Sequence, residues 1–231
     1  MALSYFTSAQ AAERLGVTQR QVRNMVQHGQ LDSEKAGGLL LISNDSLNKA
    51  LLRPRRTGRA WGSRVAWAAL AMLSGGEAPW LEASERYRLR VSLKSRSVDD
   101  LMAAARRRAI VRTFRATPEA VGKIRAHVTL TGASAMRDAR IAASFGLAEG
   151  SGFVDGYVPL GVADQIASAF LLAESSNGNV TLRETGFEDA LGESVPVAAI
   201  ALDLAESVTA REQSAGRAVL QKLLEEWAAH A

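Results

Sequence analysis

The stretch FTSAQAAERLGVTQRQVRNMVQHGQL, residues 6 to 31, constrains the fold most, because its apolar residues recur at helical spacing on both sides of a single turn glycine. Thr7 or Ser8 caps a first helix, Glu13, Arg14 and Leu15 close it, and Gly16 makes the turn. Such a glycine takes a backbone angle that costs other residues energy, and a small residue four positions earlier lets the two helices touch. Ala12 and Gly16 have that spacing. Thr18 is the N-cap of a second helix, whose Val22, Met25 and Val26 face inward with Leu15 and Val17. The remaining face carries Gln19, Arg20, Arg23, Asn24 and Gln27. These are long, donor-rich side chains, the types that bond guanine and adenine edges or grip phosphate.

After His28 and Gly29 comes LDSEKAGGLLLI, in which Gly37-Gly38 closes a two-residue hairpin between short strands, with Lys35 near its tip. Ser43-Asn44-Asp45 then opens a third helix, SLNKALL, which ends before Arg53-Pro54. Helix pair, hairpin and third helix together resemble the MerR and excisionase type of winged helix-turn-helix. The resemblance implies that the second helix enters the major groove of duplex DNA and the hairpin flanks it.

A chain of 231 residues, of which 47% are hydrophobic, is long enough for two domains and too apolar for wholesale disorder. The expected arrangement is α+β, with an N-terminal winged helix-turn-helix over residues 1–60 joined to a mixed α/β C-terminal domain over 65–231. Cysteine is absent, which removes disulfides, thiolate metal sites and a cysteine nucleophile. The opening MALSYFTSAQ has no basic segment followed by an apolar run, and the apolar window VAWAALAML spans only nine residues, too few for a bilayer. No membrane association and a cytoplasmic location are expected.

The formal charge of +4 hides an asymmetry: residues 1–125 hold 22 Lys/Arg against 10 Asp/Glu, and residues 126–231 hold 6 against 14. Neutralising phosphates releases counterions, so a basic half suits nucleic acid, and the acidic half suits something else. The segment RPRRTGRAWGSR, residues 53–64, reads as a linker with arginines at 53, 55, 56, 59 and 64 and no acid. It either tracks a sugar-phosphate backbone or is a solvated tether.

Beyond it, VAWAALAMLSGG reads as a buried helix stopped by Gly75-Gly76. RYRLRVSLKSR alternates positive with apolar residues, and SVDDLMAAARRR is an amphipathic helix whose closing arginines suit the helix dipole or a second nucleic-acid surface. AIVRTFRA is a strand, PEAVGKIRAH a helix starting from Thr117-Pro118, and VTLTG a strand or turn. FVDGYVPL is a strand, VADQIASAFLLAES a helix and GNVTLRET a strand; VPVAAIALDLAES and TAREQSAGRAVLQKLLEEWAAHA are two closing helices.

The sequence offers no catalytic constellation. His28, His127 and His230 have no metal-ligand spacing, and Ser134 in GASAM lacks the glycine of a nucleophile elbow. Asp99-Asp100 sits where acids favour a helix N-terminus. GSGFVDG lacks the lysine and preceding strand of a phosphate loop. Asp203 and Glu206 share one helix face and read as an acidic surface.

With the winged helix and the arginine-rich middle, the blocks LTGASAM, VDGYVPL and ALDLAES...REQSAGRAVLQKLLEEW resemble the AbiEi-family antitoxins of type IV toxin-antitoxin systems, in their actinobacterial form. The resemblance implies a non-enzymatic regulator without a cofactor. Its N-terminal domain would bind inverted repeats in its own promoter, and its C-terminal domain would counter a nucleotidyltransferase-like toxin. The residues expected to contact DNA are Thr18, Gln19, Arg20, Arg23 and Asn24 on the reading helix and Lys35 on the wing, with Arg53, Arg55, Arg56 and Arg59 on phosphate. A ligand-responsive regulator and a nucleic-acid-processing enzyme are the alternative classes.

Overall fold

The computed structural model describes residues 5–15, 17–27, 31–44, 46–47, 50, 60–148, 152–175, 177–191 and 194–230. The chain is α+β and divides into two compact units, Met1–Arg55 and Arg56–Ala231.

The first unit runs β1 (Tyr5–Thr7), α1 (Ser8–Leu15), α2 (Gln19–Gln27), β2 (Ser33–Ala36) and β3 (Leu39–Ser43). The hairpin forms as its sequence dictates: Ala36 pairs with Leu39, and Gly37 and Gly38 between them take φ of 57° and 79°, the two positive values that a twist-matched two-residue turn needs. Strand β1, three residues long, is not foreshadowed by the sequence pattern; it adds to β3 and makes an antiparallel sheet in the order β1-β3-β2. Ala11, Ala12, Leu15, Val22, Leu31, Ile42 and Leu47 form the core, with Phe6, Val17, Met25 and Val26 packed on it. Gly16, His28, Gly29 and most of the expected third helix lie outside the described residues, although Ser46 and Leu47 within that helix are buried.

The second unit opens with three helices, α3 (Ser63–Leu73), α4 (Ala83–Lys94) and α5 (Val98–Ala105), so the alternating RYRLRVSLK segment is helical. Next come β4 (Ile110–Arg115), α6 (Pro118–Ile124), β5 (Thr129–Leu130), a 3-10 turn over Gly132–Arg137, and α7 (Ala139–Phe145). The chain closes with β6 (Val154–Pro159), α8 (Val162–Ala169), β7 (Ala173–Glu174), β8 (Val180–Thr185), α9 (Val197–Ala205) and α10 (Ala210–His230). The sheet order is β5-β6-β8-β4-β7; among the described residues β6 and β8 pair in parallel and the other pairs are antiparallel.

Two expectations are corrected here. The linker does not extend to residue 64: the Trp61 amide donates to Ala104 O at 2.8 Å, Arg96 lies over the Trp61 ring at 4.5 Å, and Arg64 pairs with Glu85 at 2.6 Å. Side chains as large as Trp61 cannot stay in water when a core is in reach, so the second unit recruits them. The helix read over VADQIASAFLLAES stops at Ala169; Leu171 has φ 52°, and Ala173–Glu174 joins the sheet edge beside β4.

The sheet has two unlike faces because strand side chains alternate. Val154 and Val158 of β6, Val180 and Leu182 of β8 and Phe114 of β4 point into a hydrocarbon core with Val121, Ile124, Ala163 and Ile166. The opposite face presents Asp155, Tyr157 and Arg183 towards α9 and α3. Those two helices are buried on all sides, from Ala66 to Leu73 and from Ala198 to Ala205. Helix α10 packs against α9 so closely that a Cβ on Gly216 would stand 2.4 Å from Ala201 O and 2.5 Å from Ala205 N. Among the described residues, no helix is long and apolar enough to cross a membrane.

Candidate functional site

Helix α2 is held by its first turn. Thr18 Oγ1 accepts from the Gln21 amide at 3.3 Å, while Gln21 Oε1 accepts from the Thr18 amide at 2.9 Å and from the Thr18 hydroxyl at 3.0 Å. This reciprocal capping satisfies two orphan donors and fixes where the helix begins. Helix α1 has the same device in Thr7 and Gln10, with bonds of 2.9, 3.1 and 3.3 Å. The Thr18 hydroxyl hydrogen is therefore committed to Gln21, and the part of Thr18 in the face is to position it. The capping glutamines were not singled out from the sequence, although the T-x-x-Q spacing at both helix starts carries the signal.

Val22 is wholly buried and anchors the helix to α1. With that residue inward, Gln19, Arg20, Arg23, Asn24 and Gln27 are exposed on the other side. Among the described residues, no carboxylate forms an ion pair with Arg20, Arg23 or Lys35. Lys35 is exposed one residue before the β2 terminus, opposite Leu40, near the hairpin turn as expected. The structure thus brings Thr18, Gln19, Arg20, Arg23 and Asn24 onto the start and outer face of one helix. Arg53, Arg55, Arg56 and Arg59 lie outside the described residues.

The second unit contains a buried ionic cluster that the sequence reading misjudged. Asp203 is not on an acidic surface: its side chain is fully buried. Its Oδ1 accepts from Arg108 Nε at 3.2 Å, Arg108 Nη2 at 2.5 Å and Tyr157 OH at 3.1 Å, and lies 3.1 Å from Arg183 Nη1. Its Oδ2 accepts from Thr131 Oγ1 at 2.5 Å. Arg183 also makes a two-point contact with Asp155, at 2.7 and 2.8 Å, and Arg108 reaches half-buried Glu206 at 2.5 Å. Arg108 is therefore an internal ion and not, like a last-turn surface arginine, a dipole partner or a phosphate ligand. The misreading has a physical source: in VAAIALDLAES one acid interrupts an otherwise apolar helix, and a lone acid on such a helix faces inward only if a distant cation meets it.

Burial opposes the charge on Asp203, Arg108 and Arg183, and their mutual attraction overrides it. Asp203 is held below the ordinary carboxylate range by Arg183, Arg108 and the Thr131 hydroxyl despite its desolvation. Burial opposes the charge of Arg183, which Asp203 and Asp155 together stabilise more strongly. Burial, and then the neighbouring Asp203, push the Tyr157 phenol well up, so it remains a donor. Trp67 completes the cluster: its Nε1 donates to Arg108 O at 3.0 Å and Thr185 Oγ1 at 2.9 Å, and its ring meets Tyr157 edge-on at 4.9 Å.

These pairings tie β6, β8, α9 and the segment after α5 together across one face of the sheet. Ser134 likewise accepts from the Asp155 amide at 2.8 Å, and Ser97 caps α5 by accepting from the Asp100 amide at 3.1 Å, the role expected of the Asp99-Asp100 segment. No group of three or more metal-ligating side chains occurs among the described residues. No protein-family model, curated protein or solved structure matches this chain.

Proposed function

We propose that the protein is a sequence-specific transcriptional regulator that binds double-stranded DNA through α2. The observation that carries this reading is the exposed Gln19, Arg20, Arg23, Asn24 face on a helix whose start is fixed by the Thr18–Gln21 cap. In helix-turn-helix recognition the N-terminal residues of the second helix meet base edges, and these are the positions that carry bidentate donors. Lys35 on the hairpin is suited to a flanking phosphate, and Arg53, Arg55, Arg56 and Arg59 add positive charge where the chain leaves the first unit.

The second unit acts by recognition. Its buried acids and arginines pair with one another, which suits a role in holding the sheet to its helices. The resemblance of LTGASAM, VDGYVPL and the C-terminal helices to AbiEi antitoxins supports an autorepressing antitoxin, whose acidic second half meets a nucleotidyltransferase-like toxin in the cytoplasm.

Mobility-shift titrations of the chain's own upstream DNA against scrambled DNA, at two salt concentrations, test the first claim. Arg23→Ala should weaken specific binding by roughly 1–3 kcal/mol and relax preference at one base position. Equal, weak binding to both DNAs overturns it. Co-expressing residues 61–231, which retain Trp61 and Arg64, with an adjacently encoded nucleotidyltransferase tests the second claim: growth rescue should persist while promoter repression is lost. Rescue that requires residues 1–60 removes the antitoxin reading and leaves a ligand-responsive regulator.

A further inference from the structure

The seam between α4 and the C-terminal end of α10 is a groove in which rings and cations alternate. Arg90 and Lys94 are exposed one turn apart on α4, about 6 Å along the axis, and Arg86, a turn earlier, donates to Leu81 O. Tyr87 and Val91 accompany them and are 70% and 49% exposed, on a helix that buries Leu89 and Leu93. Trp227 forms the opposite wall with His230 beside it, and its position is fixed by an Nε1 bond to Arg90 O at 3.4 Å. The acids at the start of α4 are already engaged, Glu85 by Arg64 and both Glu82 and Glu85 as helix caps, while Glu77 lines the end of the groove beyond Arg86, away from Lys94.

We propose that this groove binds a single-stranded polynucleotide, with Tyr87 and Trp227 as stacking platforms and Arg90 and Lys94 on phosphate. Three features favour that occupant. The cation line demands a polyanion. The open ring of Tyr87 demands a flat, unsatisfied π-face, which unstacked bases offer and a paired duplex does not. A docked amphipathic helix would need a broad apolar strip, and here the short Tyr87–Val91 row is flanked along its length by the cations. The groove lies wholly in the second unit, so the inference goes beyond duplex reading by α2 and stands or falls separately from it.

Fluorescence anisotropy with the full chain and labelled oligo(U), oligo(dT) and a duplex of equal length tests the proposal. Both single strands should bind more tightly than the duplex in the presence of unlabelled promoter DNA, which occupies α2. Tyr87→Ala should lower single-strand affinity roughly 5-fold to 100-fold, with Tyr87→Phe close to wild type. Arg90→Ala combined with Lys94→Ala should reduce the salt slope by about 0.7 per lost phosphate contact. None of these exposed-residue changes should alter promoter binding, whereas Arg23→Ala should alter promoter binding alone. The inference is overturned by no binding to either single strand at low salt, by indifference to Tyr87→Ala, or by equal competition from polyglutamate, which would make the groove an acidic-peptide site.

Discussion

Replacing Asp203 by alanine strips the shared carboxylate from two guanidiniums whose side chains are only 3% and 7% exposed. The cost follows from what each former partner retains. Arg183 keeps its two-point contact with Asp155, and Arg108 keeps Glu206, so neither charge is wholly abandoned. The Thr131 and Tyr157 hydroxyls lose an acceptor outright. Breaking a buried pair costs about 3–5 kcal/mol, and the retained partners place Asp203→Ala towards the lower figure. For a chain of this size the melting temperature should fall by roughly 6–20 °C, read by circular dichroism, with a matching drop in the denaturant midpoint. The effect should also depend on pH. The folded-state pKa of Asp203 lies below its ordinary value, so its contribution is complete above about pH 4 and disappears as pH falls through the lower, folded value. Wild-type and variant stability should therefore converge in acid. A loss under about 1 kcal/mol at neutral pH, or a difference that persists unchanged into acid, would refute the account of the cluster as a mutually supporting ionic group.

Thr18→Ala removes the reciprocal cap of α2 and should cost about 0.5–2 kcal/mol in a thermal melt of the first unit, with promoter affinity falling in parallel; an unchanged melt would show that the cap is idle. Gly216→Leu should separate α9 from α10 and lower the denaturant midpoint, since even a Cβ would collide with Ala201 O; wild-type stability would mean that the helices part freely. Arg55→Ala with Arg56→Ala should weaken all DNA sequences alike and reduce the salt slope by about 1 per lost phosphate contact, measured by filter binding; an unaltered slope would make the segment a solvated tether.

Local rules carried most of the fold. Gly37-Gly38 admits few turns other than the one it makes, Thr117-Pro118 starts a helix, and VAAIALDLA, apolar but for Asp203, had to be buried. What the sequence concealed was long-range. Strand β1 exists because β3 offers it a partner some thirty-five residues away; the strand-favouring YFT is too short to be recognised without it. Trp61 and Arg64 look like linker until Ala104 and Glu85 come within reach. Asp203 looks solvated until Arg108 and Arg183, from two other elements, arrive above it. The α2 face was legible because a helix sorts its own residues into inner and outer positions. The groove beside Tyr87 was not, since half its wall comes from residues 227–230.

Helices α3 and α9 are built largely from alanine and leucine, and such surfaces discriminate poorly between neighbouring alignments. A slide of α9 by one turn, about 5.4 Å, would keep hydrocarbon against hydrocarbon almost everywhere. At Asp203 it would not: the carboxylate would leave both guanidiniums and the Thr131 and Tyr157 hydroxyls and enter hydrocarbon, with Arg183 left to Asp155 alone. The ionic cluster thus works as a detent in an otherwise smooth interface. It sets the depth at which α9 stops, and through the close contact at Gly216 it sets where α10 ends, including the Trp227 that closes the groove beside α4.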